Sequence, residues 1–519
     1  MDILSNSTIP YAGGLILLWW LYRLVKDRRS NPNRLPLPPG PKGYPIIGSL
    51  FDFPTYKPWL VYDKWFKTYG DMFYFEVLGQ PFLVLGSVER TYDLFEKRSS
   101  NYSDRVRMPM LIEMMRWEYN MAFLPYGNWW RRHRRLFHDH FHPNIVDKYK
   151  DVQIDTARAF LRRLLKTPDD FMHHVRHAFG SSIVKVAYGI TIEEENDPFV
   201  INGEIALGGL AEAGNPGTFL VDYFPIMKHI PDWFPGAGWK KKAAWWRHIN
   251  GVVANRPWNQ LKDQVKAGTA EPCIATTLIG QLPDEDAPNF PEEDLLSRDT
   301  CAVAFVGGAD TTVSTVQSFF MAMCLYPEVQ KKAKAELDNV LRGRLPEFND
   351  RPNLPYINAM IKESMRWQLV LPLAVAHMCT NGDEYNGYYI PKGTIVIGNG
   401  WTILHDPEVF DDPLTYNPDR YLKDGKIDPT VRDPNVAFFG FGRRICPGRY
   451  FSENSLFTYV THLLAVYDIR PGLDKDGKEV EIKPEMTNGL LSYPEPFSCR
   501  ITPRSKEAED LINNSSLMG

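Results

Sequence analysis

Between positions 291 and 325 the chain reads as one helix, and no other feature limits the fold so tightly. Pro291-Glu292-Glu293-Asp294 opens it. Proline suits the first turn, where its missing N–H is no loss, and the acids suit the positive end of the helix dipole. Apolar sequence continues to Leu325, and Tyr326-Pro327 stops it. A helix this long with so little polar face must be largely buried. Further helices run from Pro327 toward Leu341 and over 357–367. Short β-like runs at Met72–Val77 and 82–85 flank Gly79, and a second pair, Tyr388–Ile390 and 394–397, flanks Pro391-Lys392-Gly393. Each pair reads as a hairpin. The expected fold class is mainly α with small β-sheets.

Of the 519 residues, 44% are apolar, enough for one large core. The net charge of −4 offers no electrostatic footprint for nucleic acid. Six cysteines are scattered with no C-x-x-C spacing, which argues against a zinc site and a disulfide framework and fits a reducing compartment. Residues 9–25 form an apolar run with Trp19, Trp20 and Tyr22 near its end, and Arg23, Lys26, Arg28 and Arg29 cluster there. Basic residues after the run, not before it, favour an uncleaved anchor over a signal peptide. The positive-inside rule then places residues 1–8 in the lumen and the rest in the cytosol. Residues 26–45 are basic and then proline-rich, a stiff hinge. Residues 46–504 read as one catalytic domain and 505–519 as a loose tail.

Three constellations carry chemistry. The first is Phe439-Gly440-Phe441-Gly442-Arg443-Arg444-Ile445-Cys446-Pro447-Gly448. Glycines allow a tight turn and close approach to a flat ligand. Cys446 can then present a thiolate to a haem iron, a ligand that favours O–O cleavage, and Arg444 can pair with a haem propionate. The second is Gly307-Gly308-Ala309-Asp310-Thr311-Thr312, inside the long helix. Two mid-helix glycines cost about 1 kcal/mol each relative to alanine. The cost makes sense if the backbone opens for a ligand, with Asp310 and Thr311 relaying protons. Taken alone, the segment fits equally a helix crossing eased by glycine, with Asp310 in a structural hydrogen bond. The third is Glu363-Ser364-Met365-Arg366, whose acid and base share a helix face.

Together these segments resemble the cytochrome P-450 superfamily, microsomal class. Phe439 to Gly448 matches its Phe-x-x-Gly-x-Arg-x-Cys-x-Gly haem motif, and Gly307 to Thr312 matches its oxygen-activation motif. Glu363 and Arg366, with Arg420 of Asn417-Pro418-Asp419-Arg420-Tyr421, match its structural Glu-Arg-Arg triad; Tyr421 stands where phenylalanine is common. Trp130 and Arg134 match its W-x-x-x-R. The stretch Pro216-Gly217-Thr218-Phe219 through Gly236-Ala237 resembles basidiomycete fungal secondary-metabolism enzymes of the superfamily, those described as O-methylsterigmatocystin oxidoreductase-like.

The resemblance implies haem b with axial thiolate Cys446. It implies propionate contacts from Trp130, Arg134, His377 and Arg444, and Phe439 beside the haem. It implies proton delivery by Asp310 and Thr311, and a pocket that includes Val303, Val306, Leu371, Val375 and Leu490. The chain has no nucleotide fingerprint of its own, so the electrons of NADPH would arrive through a separate cytochrome P-450 reductase. Arg131, Arg132 and Arg135 would form a basic docking face. The expectation is a monooxygenase on the cytosolic face of the endoplasmic reticulum membrane, acting with O2 on a hydrophobic polycyclic secondary metabolite. A terpenoid leads, with a polyketide or aromatic alkaloid behind it. Two competitors stand beside it: an O2-independent haem-thiolate isomerase or dehydratase, and a non-catalytic haem protein such as an electron carrier or gas sensor.

Overall fold

The computed structural model describes residues 30–214 and 217–515. The expected anchor at 9–25 lies outside them. Among the described residues no helix is long and apolar enough to cross a membrane.

The long helix spans Phe290–Leu325 and is buried over most of its length. Its two halves belong to different cores. Cys301 to Val306 pack with Phe137, Phe141, Leu207, Leu210 and Trp246. Val313 to Cys324 pack with Phe160, Phe179, Trp367, Tyr459 and Leu463. Between those halves, at Gly307, Gly308, Ala309 and Thr311, the burial lapses. The two glycines there do different work. A Cβ on Gly308 would lie 2.6 Å from Ile183 of the Phe171–Tyr188 helix, so Gly308 lets two helices cross closely. A Cβ on Gly307 would meet nothing within 4 Å. Gly307 lines a cavity, so space and not contact is what it provides. The local opening expected here does not occur: the helix runs through without a break, and Thr311 Oγ1 donates to the Gly307 carbonyl at 2.8 Å.

The main sheet has five strands. Met72–Val77 pairs antiparallel with Gln80–Leu85, as the first hairpin expectation had it. Gln80–Leu85 then runs parallel to Ile395–Gly398, with Phe82 opposite Ile395. His377–Met378 and Asp104–Arg105 complete the sheet. In that last pairing Arg105 sits opposite His377. Residues directly opposite share a face of the sheet, so a short edge ladder delivers an arginine and a histidine together.

The second expected hairpin is corrected. Tyr388–Ile390 pairs with Asp383–Tyr385, which precedes it, and not with the strand after it. Asn386 and Gly387 make the turn, with φ of 51° and 79°. An Asn-Gly pair suits a two-residue hairpin turn of this hand. Ile395–Gly398, buried at every position, goes to the main sheet. The tail is corrected too. Lys506–Asn514 is a helix capped by Ser505, whose Oγ accepts from Ala508 N, and Ala508 and Ile512 are buried one turn apart.

Behind the site, Glu363 and Arg366 have no exposed side-chain surface. Arg366 donates to both carboxylate oxygens, at 2.7 and 2.8 Å, and its remaining donors reach the carbonyls of Leu404, Pro413 and Thr415. Arg420 Nε reaches the same carboxylate at 3.3 Å and binds the carbonyls of Asp411, Asp412 and Thr415. One carboxylate thus anchors two cations that hold residues 404–415 by their backbone. Replacing Glu363 with alanine strands Arg366 in the core. Breaking such a buried pair costs about 3–5 kcal/mol, so Glu363→Ala is expected to lower the denaturant midpoint sharply with little change in its slope.

Candidate haem site

The cavity beside Gly307 is walled by the two cores, the sheet edge and the cysteine loop. Val303, Val306, Leu371, Val375 and Leu490 all line it, with Leu207, Leu210 and Val370. Phe439 and Cys446 line it from the loop. The loop is shaped by its backbone. Cys446 N–H donates to Phe439 O at 2.8 Å, closing the turn. Gly442 has φ +56°, and a Cβ there would lie 2.1 Å from the Phe95 carbonyl oxygen. No side chain fits that position, so this glycine is required by both conformation and space.

Burial raises the pKa of Cys446, while the Gly448 backbone N–H and the charges of Arg134 and Arg449 pull it down. A metal cation at the sulfur would tip that balance to the thiolate.

Three arginines line the same cavity: Arg105, Arg134 and Arg444. Arg444 donates to the carbonyls of Ser103, Met121 and Leu124, and its guanidinium lies 4.3 Å from the centre of the Trp130 ring. Arg105 donates to those of Ala122, Val375 and Ala376. Arg134 donates to Ile445 O at 2.6 Å. Carbonyls take some of each group's donors, yet among the described residues none of the three forms an ion pair. Their pKa values show the strain of this arrangement. Burial, then the nearness of Arg444, pushes Arg105 far below its ordinary value. Burial brings Arg444 down to about 10 and also lowers Arg134. Buried cations without a carboxylate are costly and mark where anionic groups belong. Two carboxylates would answer that excess.

His377 faces the same region but not as a cation. Burial and the charges of Arg105 and Arg444 press its pKa well down. Nδ1 donates to Tyr102 O at 2.6 Å in the neutral ring, which leaves Nε2 a lone pair. His377 therefore becomes a propionate donor only if the carboxylate itself draws a proton onto the ring. Arg105 supplies the charge in its place, and sequence reasoning missed it. The one signal was an arginine in a short strand before the Trp130 helix, which no spacing rule selects.

Asp310 and Thr311, expected side by side at the groove, are separated. Thr311 lines the cavity and Asp310 does not. Asp310 is buried behind the helix, where its carboxylate accepts from Arg176 and from the Tyr493 hydroxyl. Burial raises its pKa, opposed by both partners. The expected basic face is also narrower: Arg132 pairs with Glu292 and Glu293, while Arg131 and Arg135 remain exposed.

A sulfur and three unpaired guanidiniums around one apolar cavity fit an iron porphyrin held by its metal and its two carboxylates. That defines a haem-thiolate protein. The cytochrome P-450 family model matches residues 38–500, and the chain belongs to that family. It is similar to the cytochrome P-450 monooxygenase COX2 of Coprinopsis cinerea, 46% identical over 99% of this chain and 98% of the relative. The monooxygenase COX1 of the same fungus is 42% identical over 98% and 99%. Tryptamine 4-monooxygenase of Psilocybe cyanescens is 40% identical over 95% and 97%. The chain is accordingly a cytochrome P-450 monooxygenase, as its motifs implied.

With Cys446 as the one cysteine among the described residues that line the cavity, Cys446→Ala is expected to abolish the red-shifted carbon monoxide difference band of the reduced protein. Cys301→Ala and Cys379→Ala should keep it, since neither lines the cavity.

Proposed function

We propose that this enzyme oxidises a hydrophobic polycyclic secondary metabolite, a terpenoid first of all, at the cytosolic face of the endoplasmic reticulum, with electrons from NADPH passed on by a separate reductase. The observation that carries the substrate class is the wall of the cavity. Apart from the arginines, His377, Cys446 and four uncharged polar side chains (Asn120, Thr311, Thr312 and Ser452), it is built of aliphatic and aromatic residues, glycines and a proline, and among the described residues no aspartate or glutamate lines it. Each buried CH2 of a ligand contributes about 0.8 kcal/mol, so a fused-ring hydrocarbon skeleton binds here without a charged anchor. An aromatic alkaloid is the second reading. The relative named for tryptamine supports it; the absence of a lining carboxylate to receive an amine weighs against it.

When bound, the haem supplies the reductive cleavage of O2, one atom entering a C–H bond and the other leaving as water with two electrons and two protons. The protein's part is to hold and to meter. Cys446 would ligate the iron, and Arg105, Arg134 and Arg444 would hold the propionates. Thr311 presents a hydroxyl to the cavity, and its bond to Gly307 O fixes the rotamer. Asp310 can take part only by exchanging its bonds to Arg176 and Tyr493, so we assign it the slower step of proton supply from outside the cavity. A hydroxyl kept at the cavity favours a monooxygenase over an O2-independent isomerase or dehydratase. Exposed Arg131 and Arg135 support docking of an acidic reductase.

The test is turnover with labelled O2 and reductase on a panel of sesquiterpenoid scaffolds. One labelled oxygen is expected in the product. In Thr311→Ala, haem content and NADPH oxidation should persist while product falls by roughly 10- to 100-fold and peroxide rises. Coupling equal to wild type would remove Thr311 from the relay.

Membrane attachment draws support from residues 9–25 and from exposed apolar side chains, with Ile226 75% and Trp233 80% accessible. Deleting residues 1–29 is expected to shift most of the protein from the membrane pellet to the supernatant with its haem retained. Full retention in the pellet would contradict the anchor.

A further inference from the structure

Asn120 is the one carboxamide among the residues lining the cavity. It follows the turn Trp117–Tyr119, and its own N–H closes that turn on Trp117 O at 3.0 Å. Its Oδ1 accepts from Ala122 N at 2.9 Å. A backbone N–H can only donate, so the oxygen must face it and the NH2 must be the other branch. That NH2 has no partner among the described residues. Asn120 is 7% exposed, so bulk solvent hardly reaches it. Nor is the amide nitrogen among the buried polar atoms sealed away without a partner. It opens onto the cavity instead.

Asn120 sits between the long helix and the arginine cluster, whose members hold the carbonyls of the two residues that follow it. The Trp117–Tyr119 turn packs against the long helix, where Asp299 lies close enough to Tyr119 to affect its titration. Val303, one turn on from Asp299, lines the cavity. The turn that leads into Asn120 is thus on the long-helix side, and the arginines have donors of their own that their carbonyl partners leave unused. The following residues are held rigidly: Arg444 grips the carbonyls of Met121 and Leu124, and Arg105 that of Ala122. A donor held in this way binds without first being ordered.

We propose that Asn120 sets substrate specificity by donating a hydrogen bond from its amide to an oxygen already present on the substrate. The preferred substrates are then hydrophobic ring systems bearing one carbonyl or hydroxyl, not bare hydrocarbons. The reaction that supplies them is one that leaves oxygen on the skeleton, an earlier oxidation or a hydration. This rests on the apolar-cavity reading above and narrows it.

The test uses haem-loaded full-length enzyme and two probes with one ring skeleton, trans-decalin and trans-1-decalone, titrated by calorimetry and by the haem absorption shift. Wild type is expected to bind the ketone about tenfold more tightly, the worth of one hydrogen bond. Two variants are needed. Asn120→Asp keeps the acceptor for Ala122 N and removes the NH2; Asn120→Leu removes both. Each should lose the tenfold preference, with decalin affinity and haem content unchanged. Equal binding of the two probes by wild type would overturn the assignment of Asn120 while leaving the apolar cavity intact. Binding of neither would overturn both. Haem lost from both variants with the ketone preference intact would assign the amide to the propionates and defeat the proposal.

Discussion

Buried positive charge without a carboxylate is the constraint on which this site depends. Arg105, Arg134 and Arg444 are drawn out of water and given carbonyl oxygens as partners. Carbonyls satisfy N–H donors but do not neutralise charge, so an electrostatic deficit remains. It is located where two carboxylates complete the site and where a thiol gains from nearby positive charge. The same bonds fix the chain. Arg444 ties residues 103, 121 and 124 together, and Arg105 ties 122 to 375 and 376. The groups that receive the cofactor therefore also hold the walls of the substrate space.

A second buried network works by the opposite arithmetic. Glu363 brings one negative charge to two guanidiniums, and backbone carbonyls of 404–415 take the remaining donors. This fastens an irregular stretch that has few ladder bonds of its own. Tyr421 sits beside that network with a hydroxyl that finds no partner among the described residues, so it packs there much as phenylalanine would. The long helix forms another wall of the cavity. Its two halves are gripped by separate cores, and the unpacked surface between them faces the cavity. Gly308 lets the helix approach its neighbour, and Gly307 leaves the space on the other side. The helix crossing is seen at Gly308 and open space at Gly307, without the local opening of the helix that the ligand reading expected.

Local chemistry made much of this legible in the chain. The span and burial of the long helix follow from its composition and its proline boundaries. The cysteine loop follows from glycines that no other residue can replace. Glu363 and Arg366 were readable because three residues along a helix is a fixed geometry. Val303, Val306, Leu371 and Val375 were readable as cavity-lining residues because they lie beside the Gly307 and His377 segments, whereas Leu490 stands beside no such segment. The Asn386-Gly387 turn was legible too and was passed over for a more conspicuous proline.

What tertiary structure alone decided is which polar groups meet. Asp310 and Thr311 are neighbours in sequence, but successive helix positions point about 100° apart, and only the packing of the Phe171–Tyr188 helix and Tyr493 determined that the acid faces away. Arg105 reaches the site because a two-residue strand pairs with His377 across some 270 intervening residues, and no local pattern encodes that register. His377 is neutral and Arg132 is neutralised for the same reason: their partners come from other elements. The sequence by itself determined the helices, the loop and the sulfur, because these depend on near neighbours. The charge and the open donors of the cavity were settled by long-range contacts, because electrostatics depends on distance in space and not along the chain.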